Sequence, residues 1–183
     1  MNTENQIVDS SFSAVINAPF EKIDLPAWAF DLSEAEYQSC SPAHVAVGKT
    51  IGPDGRRMSI NVEVIGGNAM VQHYMEELSE PHHLVLVSLS DVFTPTGRVN
   101  IHVTWELSVR RLNEDQCEFT NRVVTHATED LLTGLQKQGI PFELFKAARQ
   151  PISVDHNRTE TPFFAASIER SANQQNFRNA GIL

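Results

Sequence analysis

Apolar and polar positions alternate from Ile7 to Asn17, where Val8, Phe12, Ala14 and Ile16 share one side of a period-two pattern. That period predicts a strand with one buried face. The pattern stops at Ala18-Pro19, and proline suits the first turn of a helix. Two short helices are predicted to follow. One lies within Pro19–Leu32, interrupted or restarted at Pro26; the other is opened by Ser33 with Glu36 three residues on, the spacing of a capping box. Ser41-Pro42 ends this helical stretch.

From His44 to Ala127 the pattern changes to strands separated by turn signals. His44–Ile51 runs into Gly52-Pro53-Asp54-Gly55, a strong turn cluster. Met58, Ile60, Val62 and Val64 then alternate with Arg57, Ser59, Asn61 and Glu63, up to Gly66-Gly67-Asn68. Ala69–Glu77 and His83–Val92 flank a break at Ser79-Glu80-Pro81. Thr94-Pro95-Thr96-Gly97 precedes the strongest strand pattern, in which Val99, Ile101, Val103, Trp105, Leu107 and Val109 share a face. Asn113-Glu114-Asp115 leads into Cys117–Ala127. Six successive strands joined by short turns predict an antiparallel meander.

Beyond the strands, Thr128 reads as an N-cap, with Leu131, Leu132 and Leu135 forming a helical stripe up to Gly139. Pro141–Arg149 and Pro162–Ser171 are further helix candidates, each with proline where a first turn tolerates it. Residues 1–172 read as one domain, and 173–183 as a polar tail.

Composition narrows the function classes. Lys and Arg number 14 against 23 Asp and Glu, for a net charge of −9. A generic binder of phosphate backbones needs a basic surface, as does docking on an anionic leaflet, so neither nucleic acid nor a charged membrane surface is an expected partner. Hydrophobic residues make up 41% and include ten Phe, enough for one substantial core. No apolar run approaches the roughly 20 residues of a membrane span. The opening MNTENQIVDSS has no secretory pattern, and Cys40 and Cys117 form no metal or disulfide framework. The expectation is a cytoplasmic domain without metal or cofactor. GxSxG, GxxxxGK[ST], GxGxxG and HExxH are all missing, so triad hydrolases, P-loop NTPases, dinucleotide enzymes and zincins lack their usual signatures.

The segment Phe12-Ser13-Ala14-Val15-Ile16-Asn17-Ala18-Pro19-Phe20-Glu21-Lys22-Ile23, an apolar strand running into an Ala-Pro helix start, resembles the opening of the START, polyketide cyclase and birch-pollen-allergen superfamily (SRPBCC). The element order over about residues 7–140 resembles it as well. The resemblance implies an α+β helix-grip fold, β-α-α-β6-α: a seven-stranded antiparallel curved sheet wrapped around a C-terminal helix, with an apolar cavity between them. It implies binding of a lipid, polyketide or aromatic small molecule, with cyclase or dehydratase chemistry in some members. Two features depart from the pattern. The family's aromatic-rich continuation after Glu21 is missing, although Trp28 is near, and Pro141, Pro151 and Pro162 break the region where one long helix is usual.

Register can be argued from pairing alone. If Arg111 opposes Cys117, Arg110 faces Glu118 and Glu106 faces Arg122, while Val109–Phe119, Trp105–Val123 and Val103–Thr125 form a consistent apolar face. A two-residue turn at Gly66-Gly67 pairs Arg57 with Glu76 outside and turns Ala69, Val71, His73 and Met75 inward. Five-residue loops at Leu78–His82 and Phe93–Gly97 then turn His83, Val85, Val87, Leu89 and Asp91 inward. This places His73 in mid-sheet, Glu77 opposite His83 at one end, and Asp91 beside Val99 at the other.

Inward polar groups are the functional candidates, because an unpaired buried polar group costs about 1–3 kcal/mol. His73 is a satisfied core histidine or a group that protonates a ligand carbonyl. Glu77 and His83 form an acid/base pair in the sharper reading and a solvated rim pair in the plainer one. Tyr37, Met75, Val87, Asp91, Val103, Trp105, Phe119, Asn121 and Thr125 are the candidate ligand contacts, and many of these are wall residues first. His102 falls opposite His126 on the outer face, a pair whose exposure argues against metal binding. Three readings follow: a carrier of an apolar small molecule, a cyclase or dehydratase using His73 or Glu77/His83, and a homodimer through Phe142, Phe145, Phe163 and Phe164. The first is the expectation.

Overall fold

The computed structural model describes residues 5–179, with side chains as far as residue 173. Strand β1 (Gln6–Ile16) leads through a 3-10 turn at Phe20–Lys22 into α1 (Leu25–Asp31) and α2 (Glu34–Cys40). The meander follows as β2 (His44–Ile51), β3 (Arg57–Ile65), β4 (Asn68–Glu80), β5 (His83–Thr94), β6 (Gly97–Arg111) and β7 (Cys117–Ala127). Helix α3 (Glu129–Lys137) and the long α4 (Phe142–Asn179) complete the chain. The seven strands form one antiparallel sheet in the order β1-β7-β6-β5-β4-β3-β2, and α4 lies against β1, β7 and β3. This is the helix-grip arrangement that the element order predicts.

The local signals act as expected at the helix starts. Ser33 Oγ accepts from Glu36 N–H at 3.2 Å, Thr128 Oγ1 from Leu131 N–H at 3.2 Å, and Asp24 caps α1 through Ala27 N–H at 2.8 Å, satisfying donors left free at a first turn. Gly66 and Gly67, at φ of 57° and 80°, make the two-residue turn between β3 and β4 that favours glycine at both positions.

The C-terminal region departs from the expectation. The two separate helix candidates and part of the polar tail are one continuous helix, with Pro151 and Pro162 inside it; residues 180–183 of that tail lie outside the described residues. An internal proline costs a helix about 3 kcal/mol, and contacts across the sheet offset it. Asn157 Nδ2 donates to Ser10 Oγ at 2.8 Å and to the carbonyls of Ser10 and Asn121 at 3.2 and 3.4 Å. Trp28 Nε1 donates to Ser167 Oγ at 2.9 Å, and Glu169 accepts from Asn17. Phe164, Ala165, Ile168 and Ala172 are buried in the main core. Phe164 is therefore no part of a dimer surface, whereas Phe163 is half exposed.

The β6/β7 register is the predicted one: Arg111 opposes Cys117, Glu106 opposes Arg122 and Val103 opposes Thr125. At the next junction the sheet differs by one residue. Thr94 opposes Gly97 across a two-residue turn, so Val92 pairs with Val99 rather than with Arg98. A one-residue change turns every side chain of a strand over. The β4/β5 junction is also a tight turn, Glu80 opposing His83. With the register shift near Glu77, its pairing differs from the expected one by two residues along most of the ladder, which preserves the facing. The β3/β4 register is as predicted. The single slip at Pro95-Thr96 therefore inverts β5, β4 and β3 together. Ser59, Asn61, Glu63, Met70, Gln72, Tyr74, Leu84, Leu86, Ser88 and Ser90 are the buried positions, and the valine-rich set faces outward.

Candidate functional site

Between the sheet and helices α3 and α4 lies a cavity of about 290 Å³, at the small end of the roughly 300–1,000 Å³ typical of ligand pockets. Its apolar wall includes Ile101, Val103, Trp105, Val123, Leu131 and Phe164; Asn61, Glu63, Gln72, His156 and Glu160 supply a polar wall. The apolar side comes from the well-registered half of the sheet, and the polar side from β3, β4 and the part of α4 between its two prolines.

That helical segment explains itself locally. His156, Asn157, Glu160, Thr161 and Phe164 follow the spacing of one helix face, and this face turns toward the sheet. Glu160 Oε1 accepts from Asn121 Nδ2 at 3.2 Å, and Asn121 Oδ1 accepts from Trp105 Nε1 at 2.9 Å. Glu160 Oε2 is 3.1 Å from His44 Nε2 and 3.2 Å from His156 Nε2. Glu63 lies 3.7 Å from each of the same two nitrogens, through Oε1 to His44 and Oε2 to His156. Tyr37, fully buried, stacks on His44 with ring centroids 4.0 Å apart and donates its hydroxyl to Glu63.

The electrostatics follow from this packing. Burial opposes ionisation of Glu160, but its contacts with His156 and His44 outweigh that and hold its carboxyl well below the usual range. For His156, burial favours the neutral ring, and the facing Glu160 and Glu63 carboxylates override it and raise the imidazole. Burial first and the Glu63 charge second push the Tyr37 phenol up, so it remains a donor. Gln72 Oε1 is the exception, a buried acceptor on the cavity wall without a hydrogen-bond partner.

The candidates from sequence divide along the register slip. Val103, Trp105 and Thr125 line the cavity. Asn121 does not line it but is fully buried against the wall residue Glu160, Tyr37 sits behind Glu63, and Phe119 belongs to the packed core rather than to the lining. The others require correction. His73, Met75, Val87 and Asp91 lie on the opposite face of β4 and β5, because Gln72 and Tyr74 point inward. Glu77 and His83 do not pair: Glu77 is exposed against Arg56 at 3.0 Å, and His83 contacts Glu106 at 2.9 Å on the outer face. Asp91 accepts from Asn100 Nδ2 at 2.6 Å. Both cysteines are buried, and desolvation pushes the Cys40 thiol up to about 11, away from nucleophile chemistry.

Sequence reasoning missed His44, Glu63, Gln72, His156 and Glu160. The His156–Glu160 spacing of four on a helix was visible in principle, but the prolines on either side broke the segment as read. Glu63 alternates with valines on β3, and nothing local says which set faces the cavity.

No family model matches the chain, and no curated protein matches it. Solved structures do. The chain is similar to the Zhui aromatase/cyclase from Streptomyces sp. R1128 at 11% identity over 92% of this chain and 94% of that one, with a TM-score of 0.60. A START superfamily protein from Mycobacterium smegmatis is 16% identical, with coverage of 91% and 98% and a TM-score of 0.51. The di-domain ARO/CYC BexL from the BE-7585A biosynthetic pathway is 12% identical over 93% of this chain and 52% of that one, at a TM-score of 0.52. The chain shares the helix-grip fold of these structures, a seven-stranded antiparallel sheet closed over a long C-terminal helix. Among the described residues, no helix is long and apolar enough to cross a membrane.

Proposed function

We propose that this protein binds a mainly apolar small molecule, of aromatic or polyketide type, that carries at least one carbonyl or hydroxyl. The observation that carries the reading is the division of one cavity into an apolar wall, with Val103 and Trp105, and a polar wall holding an unpartnered acceptor, Gln72 Oε1. A ligand hydroxyl donating to Gln72 would satisfy that oxygen, and ring carbons would cover the apolar wall. Residence in the cytoplasm belongs to the same reading, as does self-association through a surface that includes the exposed Phe163.

Native mass spectrometry of the purified protein, followed by denaturation and identification of any released molecule, tests it. The expected result is a discrete organic species, or saturable uptake of anilinonaphthalenesulfonate that Val103→Glu abolishes. Uptake that Val103→Glu leaves unchanged would place binding elsewhere and overturn the reading.

A catalytic reading is favoured by one observation, the ionisable His156 and Glu160 on the cavity wall. An aromatase/cyclase-type enzyme would use the enclosed space to fold a reactive chain away from water. The similar structures titled aromatase/cyclase lend analogy to this and no more, since fold does not specify reaction. Turnover of a poly-β-keto chain, lost in Glu160→Gln with the chain still folded, is the result it requires.

A further inference from the structure

The inner end of the cavity brings together more ligating chemistry than the capture of an apolar molecule uses. His44 from β2, Glu63 from β3, and His156 and Glu160 from α4 converge with no lysine or arginine among them. His44, Glu63 and His156 each place a ligand atom within 4.8 Å of the others. The nitrogen-to-oxygen separations are 3.1, 3.2, 3.7 and 3.7 Å. Donors held at about 2.0–2.1 Å from one tetrahedral ion stand about 3.3 Å apart; the two imidazoles stand at that spacing from Glu160, and Glu63 lies a little outside it, through a different oxygen to each ring.

The atoms facing away from the convergence point are held as ligands usually are. His44 Nδ1 lies 2.7 Å from the carbonyl oxygen of Tyr37, which only accepts, so the proton is on Nδ1 and donates there. Glu160 Oε1 accepts from Asn121. Two of the four groups therefore have outer partners of the kind that orient metal ligands, and Tyr37 fixes Glu63 through Oε1, the oxygen nearer His44, leaving Oε2 toward His156. With a proton on Nδ1, His44 turns Nε2 toward Glu160 Oε2, where either a metal ion or a second proton can sit. A second feature is independent of the cluster. Gln72, about nineteen-twentieths buried, has its unpartnered Oε1 on the same cavity wall, and it suits a water or hydroxyl bound to such an ion. Glu63, His156 and Glu160 line the cavity while His44 does not, so the ion would be anchored on the protein side and open toward the space.

We propose that His44, His156, Glu160 and Glu63 form a site for one divalent first-row transition ion, of the zinc class, at the inner end of the cavity. Two imidazoles with carboxylates make a mixed nitrogen–oxygen set of the kind zinc accepts. The absence of cysteine from the set disfavours a purely structural thiolate site, and a ligand oxygen would enter as a fifth donor or in place of Glu63, the most distant of the four. This last point rests on the cavity-binding reading; metal capture itself does not.

The test uses the full chain, stripped with chelator and titrated with Zn²⁺ or Co²⁺ alone, with no organic ligand present. Calorimetry should give one ion per chain at micromolar affinity or tighter, with a raised thermal midpoint, and Co²⁺ should show the intense visible bands of a low-coordinate site. His156→Gln and Glu160→Gln should each weaken uptake by about 10–100-fold or more, because each removes a ligand rather than an outer partner. Wild-type titration decides the matter even if a variant fails to fold. No saturable one-to-one uptake by the wild type overturns the proposal, leaving a proton-bridged network only. Unchanged uptake by the folded His156→Gln/Glu160→Gln double variant overturns it too. Anilinonaphthalenesulfonate uptake by the stripped protein separates the two readings: probe without metal removes this site and keeps the cavity, and metal without probe does the reverse.

Discussion

The two halves of the sheet follow opposite rules. In β6 and β7 the buried face is mainly apolar, with Val103, Trp105, Leu107 and Phe119 and only Asn121 and Thr125 as polar interruptions, and the outer face is charged, with Glu106 against Arg122 and Arg110 against Glu118. In β3 and β4 the buried face carries Ser59, Asn61, Glu63 and Gln72, while Ile60, Val62, Val64 and Val71 face outward. Both halves alternate with period two. The difference teaches that alternation reports two unlike faces and does not say which is inside. On the β3/β4 side of the cavity the polar set goes in, facing the apolar wall that Val103 and Trp105 present from β6.

Breaking the apolar half should cost the most. Trp105 is buried against Tyr74 and Phe164, with centroids 5.3 and 5.7 Å away. Trp105→Ala should destabilise by about 3–5 kcal/mol, the range for deleting a large core side chain, as read by denaturant unfolding. A loss under about 1 kcal/mol would mean that this wall is not packed as core.

The comparison sharpens when one substitution is made on each inner wall. Asn121→Leu on β7 strips partners from Trp105 Nε1, Glu160 Oε1 and Thr161 Oγ1 and should cost about 1–3 kcal/mol for the polar groups it orphans. Gln72→Leu on β4 removes an oxygen that has no partner and should stabilise the protein by about 1 kcal/mol while weakening ligand uptake. Stability and binding moving in opposite directions at Gln72 is the signature of a group kept for function. Joint loss of both would assign Gln72 to the core.

How much was legible in the sequence follows the same division. The β6/β7 register could be read because Arg110–Glu118 and Glu106–Arg122 agree with the apolar pairs Val109–Phe119 and Val103–Thr125, and no slipped register satisfies all four. The β5/β6 junction had only Asp91 to set against Arg98 or Asn100. In the structure Asp91 takes both, Asn100 at 2.6 Å and Arg98 at 3.6 Å, so charge could not choose the turn length. The cavity cluster was less legible still. His44 and His156 lie far apart in sequence and share no local pattern; only the closure of α4 over the sheet brings them together.

A smaller effect separates the charged outer face from the buried cluster. The hydrogen bond from Arg122 outweighs desolvation and lowers Asp9, and contacts from His83 and then Arg122 lower Glu106. A carboxyl that ionises more readily in the folded chain adds stability above its unfolded pKa of about 4, and that stability is lost as pH falls through the lower folded value. Arg122→Met should therefore flatten the loss of stability between about pH 4.5 and pH 3, by no more than about 0.2–1 kcal/mol for pairs this exposed. Urea midpoints measured at both pH values check it, and an unchanged slope would mean that solvent screens the pair completely.

The smallest expected effect decides the largest structural question, which face of β4 looks inward. His73 pairs with Ile60 on the ladder, its backbone N–H donates to Ser88 Oγ at 2.7 Å, and its side chain is half-buried on the face away from the cavity. Because that hydrogen bond uses the main chain, His73→Gln retains it. The substitution should shift stability by within about 0.5 kcal/mol, as for a surface position, and leave ligand and Co²⁺ uptake at wild-type values. The inverted register, with Val92 opposite Arg98, makes the contrary demand: His73 would stand mid-cavity, and its loss would weaken binding while Gln72→Leu did nothing. One pair of titrations on these adjacent residues therefore settles the two-residue turn at Pro95-Thr96, since no other junction sets the facing of β3, β4 and β5 together.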